Sequence, residues 1–168
     1  EIILQKKCEI STNDTAGILH DRLMGIGAEL VLETVKRISK GTVRTKKQVH
    51  GGKLKSAHKI SKDTCQIDWS LPIDRIYDHI RGLSPYPTAW TTLIDGETST
   101  FLKIYDVSKE EADHNYKIGA VIRTKKELKV VVQGGLIELL EIQFPGKKKM
   151  MTSEVLNGLK LSEAAHMS

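Results

Sequence analysis

The sequence predicts an α+β chain that is mainly β in its second half. It comprises an incomplete α/β strand–helix piece, a basic linker with a short helix, and a small five-stranded β-barrel. Three observations carry this. Ala16, Leu19, Leu23, Ile26 and Leu30 recur at three- and four-residue spacing, one apolar face of a helix. From Lys40 to Lys62 there are eight Lys or Arg and no Asp or Glu. From Ala89 onward, short strand-like runs alternate with tight turns, the pattern of a small barrel. The expected boundaries are 1–41 for the α/β edge, 42–82 for linker and short helix, 83–161 for the barrel and 162–168 for a frayed tail.

In chain order, Ile2–Ile10 reads as a strand. Ser11-Thr12-Asn13-Asp14 supplies a hydroxyl and an acid to start the helix, which Val35 and Ile38 extend towards Gly41. A strand followed by one helix is half of an α/β unit, and alone it leaves its apolar faces uncovered. Thr42–Ile60 has no clean period, carries Gly51-Gly52 and is rich in Lys. A short helix follows, with Ser70 as cap, Pro72 in the first turn and Ile73, Ile76 and Ile80 on one face. Gly82 is expected to stop it, and Pro85 and Pro87 to prevent its resumption. Strands are expected at Ala89–Ile94, Thr100–Tyr105, Ile118–Arg123, Glu127–Gln133 and Leu136–Gln143. Asp95-Gly96 marks a hairpin whose loop is expected to exceed two residues. A last helix, Ser153–Asn157, is capped by Thr152 and closed by Gly158.

Hydrophobic residues at 39% and charged residues at 28% permit a packed core and do not fit a disordered chain. No apolar run approaches the roughly 20 residues that span a bilayer, so no membrane partner is expected. The start at Glu1 is no signal peptide and opens directly into a strand, as though cut from something longer. Cys8 and Cys65 form no close pair and the six His are scattered, so neither a disulfide framework nor a metal is expected. Thiols in a reducing cytoplasm fit better.

The net charge of +5 comes from the one acid-free segment. Within it Arg44, Lys46, Lys47, Lys53, Lys55, Lys59 and Lys62 are each able to neutralise a phosphate; a solvated linker would explain the same charges. Lys147-Lys148-Lys149, directly after Pro145-Gly146, repel one another unless anions or salt screen them. Trp69, Tyr86 and Trp90 cluster near the short helix. Stacking on bases is one use for them, but with 5% aromatics core packing is the stronger reading. No GxSxG, P-loop or GxGxxG is present, and Asp14 and Asp68 suit helix starts rather than acid–base work.

Ile60-Ser61-Lys62-Asp63, Ile67-Asp68-Trp69, Ile80-Arg81-Gly82-Leu83 and Pro85-Tyr86-Pro87-Thr88-Ala89-Trp90 resemble the methionyl-tRNA formyltransferase family. So do Gly146-Lys147-Lys148-Lys149-Met150 and Val155-Leu156-Asn157-Gly158. The Ile-Asp-Trp and Pro-x-Pro blocks occur in other folate-dependent formyltransferases, and the last two blocks favour the tRNA enzyme. The opening Glu1–Gln5 and Asp14–Leu19 are similar to the end of that family's catalytic domain. The resemblance implies a Rossmann-like edge at 1–41 and an OB-like barrel at 83–161. It implies formyl transfer from 10-formyltetrahydrofolate to the amino group of methionyl initiator tRNA, in translation initiation. The family's reacting Asn, His and Asp would precede Glu1, so no catalytic residue is expected in this chain. The folate co-substrate is not expected to bind it, and the chain alone is expected to be inactive. What carries over is an RNA-facing role for Lys59, Lys62, Arg81, Lys147, Lys148 and Lys149; the role of Lys46-Lys47 rests on charge alone. A cytoplasmic monomer is expected.

Three readings compete. A stand-alone RNA-binding module conflicts with the incomplete α/β unit. The corresponding part of another folate-dependent formyltransferase would have no reason to carry eight linker cations. The third is a structural scaffold with incidental Lys.

Overall fold

A computed structural model describes residues 1–48 and 55–168, so Lys53 and Gly51-Gly52 lie outside the described residues. The chain divides into two compact units, Glu1–Lys59 and Ile60–Ser168.

The first unit is dominated by α1, Ala16–Ser39. Thr15, rather than the Ser11–Asp14 run, caps it, its hydroxyl oxygen accepting the Ile18 N–H at 3.2 Å. Asp14 is occupied elsewhere. It accepts the Ser11 N–H at 2.8 Å and takes a two-pronged pair from Arg22 at 2.7 and 2.9 Å. Arg22 also donates to the Glu9 carbonyl at 2.8 Å, tying the preceding segment to the helix. Ile2–Ile10 is not the expected strand. It makes one antiparallel bridge, Ile2 to Lys46. A strand needs a neighbour along its length to satisfy its N–H and C=O groups, and the described residues offer it no other. No residue of α1 is fully buried. The stripe read from the sequence is half-covered at Ala16, Leu19, Ile26 and Leu30. A second stripe of Met24, Val31, Val35 and Ile38 is 56–64% exposed.

The second unit is built on one antiparallel sheet. Its strands are β1 Ala89–Asp95, β2 Thr98–Glu111, β3 Val121–Arg123, β4 Leu128–Val132, β5 Gly135–Gln143, β6 Met150–Met151 and β7 His166–Met167. Their order is β3-β4-β5-β2-β1-β7, with β6 on β5. Alternation supplies much of the core: Leu102 and Ile104, Leu128 and Val130, Ile137 and Leu139 are buried, while Lys103, Lys129 and Glu138 between them are not. The β1–β2 hairpin is tighter than expected. Asp95 pairs with Thr98, so the loop is Gly96-Glu97, with Gly96 at φ 59°, a conformation glycine adopts without penalty.

α2, Ile73–Leu83, buries Ile73, Ile76, Ile80 and Leu83 in this core. Its cap is Pro72, not Ser70, and Gly82 lies inside its last turn. The helix ends at Leu83, two residues before Pro85, whose ring and missing N–H forbid continuation. Cys65, Ile67 and Trp69 enter the same core, so the compact unit starts well before the barrel's first strand.

Two small elements differ from expectation. α3 is Thr152–Val155 and has no side-chain cap. The tail is not frayed: β7 pairs with β1, and Ala120 bridges His166. The tail thereby joins β1 to the chain entering β3, bringing the two sides of a barrel-like sheet together. No helix among the described residues is long and apolar enough to cross a membrane.

Candidate nucleic-acid interface

Because Leu102 and Ile104 face inward, Phe101, Lys103 and Tyr105 are presented on the outer face of β2. Trp90 lies opposite Lys103 on β1, and Gln143 opposite it on β5. The Trp90 and Phe101 rings stack with centroids 5.1 Å apart. Lys62 lies over both, its ammonium 5.7 Å from each ring centroid, and its carbonyl accepts the Trp90 indole N–H at 2.8 Å. Four residues along β2, about 13 Å, the Lys149 ammonium sits 5.1 Å from the Tyr105 ring and 3.0 Å from Glu141. This face therefore alternates cations with π surfaces, the rings packing beside the lysines and the ammonium groups being of the kind that neutralises phosphates.

Lys147 and Lys148 occupy a different feature. Phe144 to Lys147 forms a turn, closed by the Lys147 N–H to the Phe144 carbonyl at 3.1 Å, with Gly146 at φ 69°. The Gln143 amide donates to the Lys147 carbonyl at 2.9 Å, fixing the turn to β5. Both ammonium groups line an open groove of about 600 Å³ between this turn, β6 and α3. Neither has an ion-pair partner among the described residues.

The remaining candidates separate. Arg81 is half-buried and bonded to Asp78 at 2.8 Å, so its charge is partly answered within α2. Arg44, Lys46, Lys47, Lys55 and Lys59 belong to the first unit and are exposed. Arg44 joins Lys36, Arg37 and Lys40 around a small cleft with one acid, Glu33, which the Arg37 guanidinium holds below the usual carboxylate range. Sequence reasoning missed Lys103, Phe101 and Tyr105. Their signal was the alternation within β2, which places every second residue outward. It also passed over Lys36, in the last turn of α1, and Lys40, the residue that caps α1 and opens the acid-free run. Of the clustered aromatics, Trp69 is core, its N–H on the Thr91 hydroxyl at 2.8 Å. Trp90 is half-exposed and Tyr86 is 85% exposed. Among the described residues no three His, Cys, Asp or Glu come together to hold a metal.

Residues 59–160 match the family described as formyl transferase, C-terminal domain. A methionyl-tRNA formyltransferase of Flavobacterium psychrophilum is 49% identical over 98% of this chain and 52% of its own length. Those of Flavobacterium johnsoniae and Bacteroides fragilis are 43% and 41% identical, over 98% and 99% of this chain and 52% and 53% of theirs. The chain thus spans about half the length of the curated relatives it matches. A crystal structure of an alanine-substituted HypX from Aquifex aeolicus superposes with a TM-score of 0.55 at 16% identity, over 80% of this chain and 24% of that one. At that identity the likeness is one of fold.

Proposed function

We infer a role from one premise: the chain belongs to the formyl transferase C-terminal domain family. We propose that it is the tRNA-gripping part of a methionyl-tRNA formyltransferase, acting in the cytoplasm as a monomer. The whole enzyme would transfer the formyl group of 10-formyltetrahydrofolate to methionyl initiator tRNA. The single observation that carries the binding role is the outward cation–aromatic face of Lys62, Trp90, Phe101, Lys103, Tyr105 and Lys149, inside the family-matched stretch. On this reading the barrel is OB-like. Residues 1–41 are the edge of an α/β domain whose further layers cover the open stripe of Met24, Val31, Val35 and Ile38. A helix apolar on two sides is an interior helix, and the relatives are long enough to supply its cover.

Acceptor-stem RNA is A-form, and its phosphates and shape are what a protein reaches. Flexible Lys suits that contact without reading sequence. The test is tRNA binding across a salt series for the parent and for Lys59→Gln/Lys62→Gln/Lys103→Gln. Each neutralised phosphate adds about 0.9 to the log–log slope on duplex nucleic acid. The variant's line should therefore be shallower by roughly one unit for every phosphate it no longer neutralises. Parallel lines would return these lysines to solvated surface. A second expectation concerns catalysis: this chain, given charged initiator tRNA and 10-formyltetrahydrofolate, produces no formyl-methionyl-tRNA. Enzyme-level turnover would overturn the assignment of the reacting groups to another part of the protein.

A further inference from the structure

The groove beside the Lys147–Lys148 turn has a chemistry of its own. Its floor is apolar, formed by Ile142, Phe144, Val155 and Leu159, with Met150 on its edge 37% exposed. Its rim carries Lys147 and Lys148, without ion-pair partners among the described residues, on a turn that the Gln143 amide and the Gly146 conformation hold in place. Glu154 also lines it, leaving a net charge of +1 from these three side chains, and no salt bridge joins Glu154 to either lysine among the described residues. Its volume of about 600 Å³ lies within the roughly 300–1,000 Å³ of small-molecule sites. An apolar floor asks for a flat or greasy group, the paired lysines ask for an anion beside it, and the carboxylate asks for an N–H. A single nucleotide has all three: a base face, a phosphate and, in adenine, cytosine or guanine, an exocyclic amine.

We propose that this groove seats one unpaired nucleotide of the bound RNA. Its base lies on the Phe144–Leu159 floor, its phosphate between Lys147 and Lys148, and its exocyclic amine towards Glu154. This rests on the tRNA reading above and adds to it a second contact of different kind. The outer face of β2 takes backbone, whereas the groove takes a base. The base must be unpaired, because a base inside a duplex has both faces covered by its neighbours and cannot reach a floor. The fixed turn presents the two cations without further ordering of the chain, which lowers the cost of binding.

The experiment compares two fluorescent RNA hairpins with the same stem, one blunt and one ending in a short single-stranded adenine extension. Binding to the full chain is measured at one salt concentration for the parent, Met150→Glu and Lys147→Gln/Lys148→Gln. Met150 is exposed enough to change without entering the core, and equal circular dichroism spectra check the fold. Base stacking on a protein surface is worth about 1–3 kcal/mol, so the parent should prefer the extended hairpin by roughly tenfold. Met150→Glu places an anion on the groove's edge and should abolish the preference while leaving blunt-hairpin binding unchanged. The lysine variant should weaken the extended hairpin more than the blunt one. A preference that survives Met150→Glu overturns the proposal, as does a parent that binds both hairpins equally. A concentration-dependent dimer that Met150→Glu dissolves also overturns it, because the occupant would then be a second copy. In each of these cases the tRNA reading still stands. A parent that holds neither hairpin nor tRNA removes both.

Discussion

At the level of single residues, charge alone does not tell one lysine from another; the company each keeps does. Lys149 and Arg81 carry local acids, Glu141 at 3.0 Å and Asp78 at 2.8 Å, whereas Lys147 and Lys148 carry none among the described residues. The sequence grouped Lys147, Lys148 and Lys149 as one triplet, and the turn separates them, two into the groove and one onto the Tyr105 ring. Asp68 was legible as an acid near a helix start, but its means of action was not. It holds no helix N–H; it accepts the Ser70 N–H at 3.0 Å and the Ser70 hydroxyl at 2.6 Å, shaping the turn into α2. Those bonds hold its carboxyl below the usual range. A carboxylate whose folded pKa is lowered contributes stability above its unfolded value, about 3.9. That contribution disappears as pH falls through the folded value. Asp68 is exposed and water screens these bonds, so Asp68→Ala should cost only about 0.5 kcal/mol or less at neutral pH, and the difference from the parent should shrink below about pH 4. Denaturant unfolding at a series of pH values measures this, and a pH-independent difference would show that the ionised form is not what matters.

At the level of elements, legibility followed how local the stabilising contact is. The apolar residues Ile73, Ile76 and Ile80 announced α2, and all three are buried. β1, β2 and β5 were visible through the alternation of buried and half-exposed residues, whereas β4, buried at Leu128, Val130, Val131 and Val132, was visible as a short apolar run between turns. Their ends moved where partners decide. β2 runs to Glu111, beyond the expected Tyr105, because β5 continues alongside it from Gly135. Gly135 is required there: a Cβ on it would stand 2.0 Å from the Glu110 carbonyl oxygen, so the strands approach more closely than any side chain allows. Ile2–Ile10 failed in the opposite sense, having a strand's composition without a strand's neighbour. β6 and β7 are two residues each and carry no period at all; only the sheet they join defines them. The outer face of β2 was implicit in its alternation. The groove was not, since it needs the Lys turn, β6 and α3 placed together.

At the level of the whole molecule, the last seven residues act on the stability of the barrel. The expectation of a frayed tail rested on its composition, Ser162-Glu163-Ala164-Ala165-His166-Met167-Ser168, which has neither period nor apolar run. In the structure Ala165 is 2% exposed and Met167 4%. The Met167 N–H donates to the Gly119 carbonyl at 2.8 Å, and the Ala165 carbonyl accepts from Val121 at 3.1 Å. On the other side Ser168 exchanges two bonds with Thr92, at 2.9 and 3.0 Å, and its carbonyl accepts the Thr91 hydroxyl at 2.9 Å. That hydroxyl in turn accepts the Trp69 indole N–H, so the tail is linked through Thr91 to the chain leading into α2. Gly119 permits the close approach, because a Cβ there would meet the Met167 carbonyl oxygen at 2.9 Å. Removing the tail would leave the N–H and C=O groups of Thr92, Gly119 and Val121 without these partners and open Leu93 to water. Met167→Ala alone should cost about 2–4 kcal/mol, the range for a buried Met. Truncation after Leu161 should cost more, a large part of the roughly 5–15 kcal/mol that holds a domain. Neither change touches Lys62, Lys103 or the Lys147–Lys148 turn, so folded protein should still hold RNA. Urea unfolding followed by tryptophan fluorescence reads the result at Trp69, beside the tail. An unchanged midpoint for the truncated chain would mean that the barrel closes without its tail and that composition had read the end of the chain correctly.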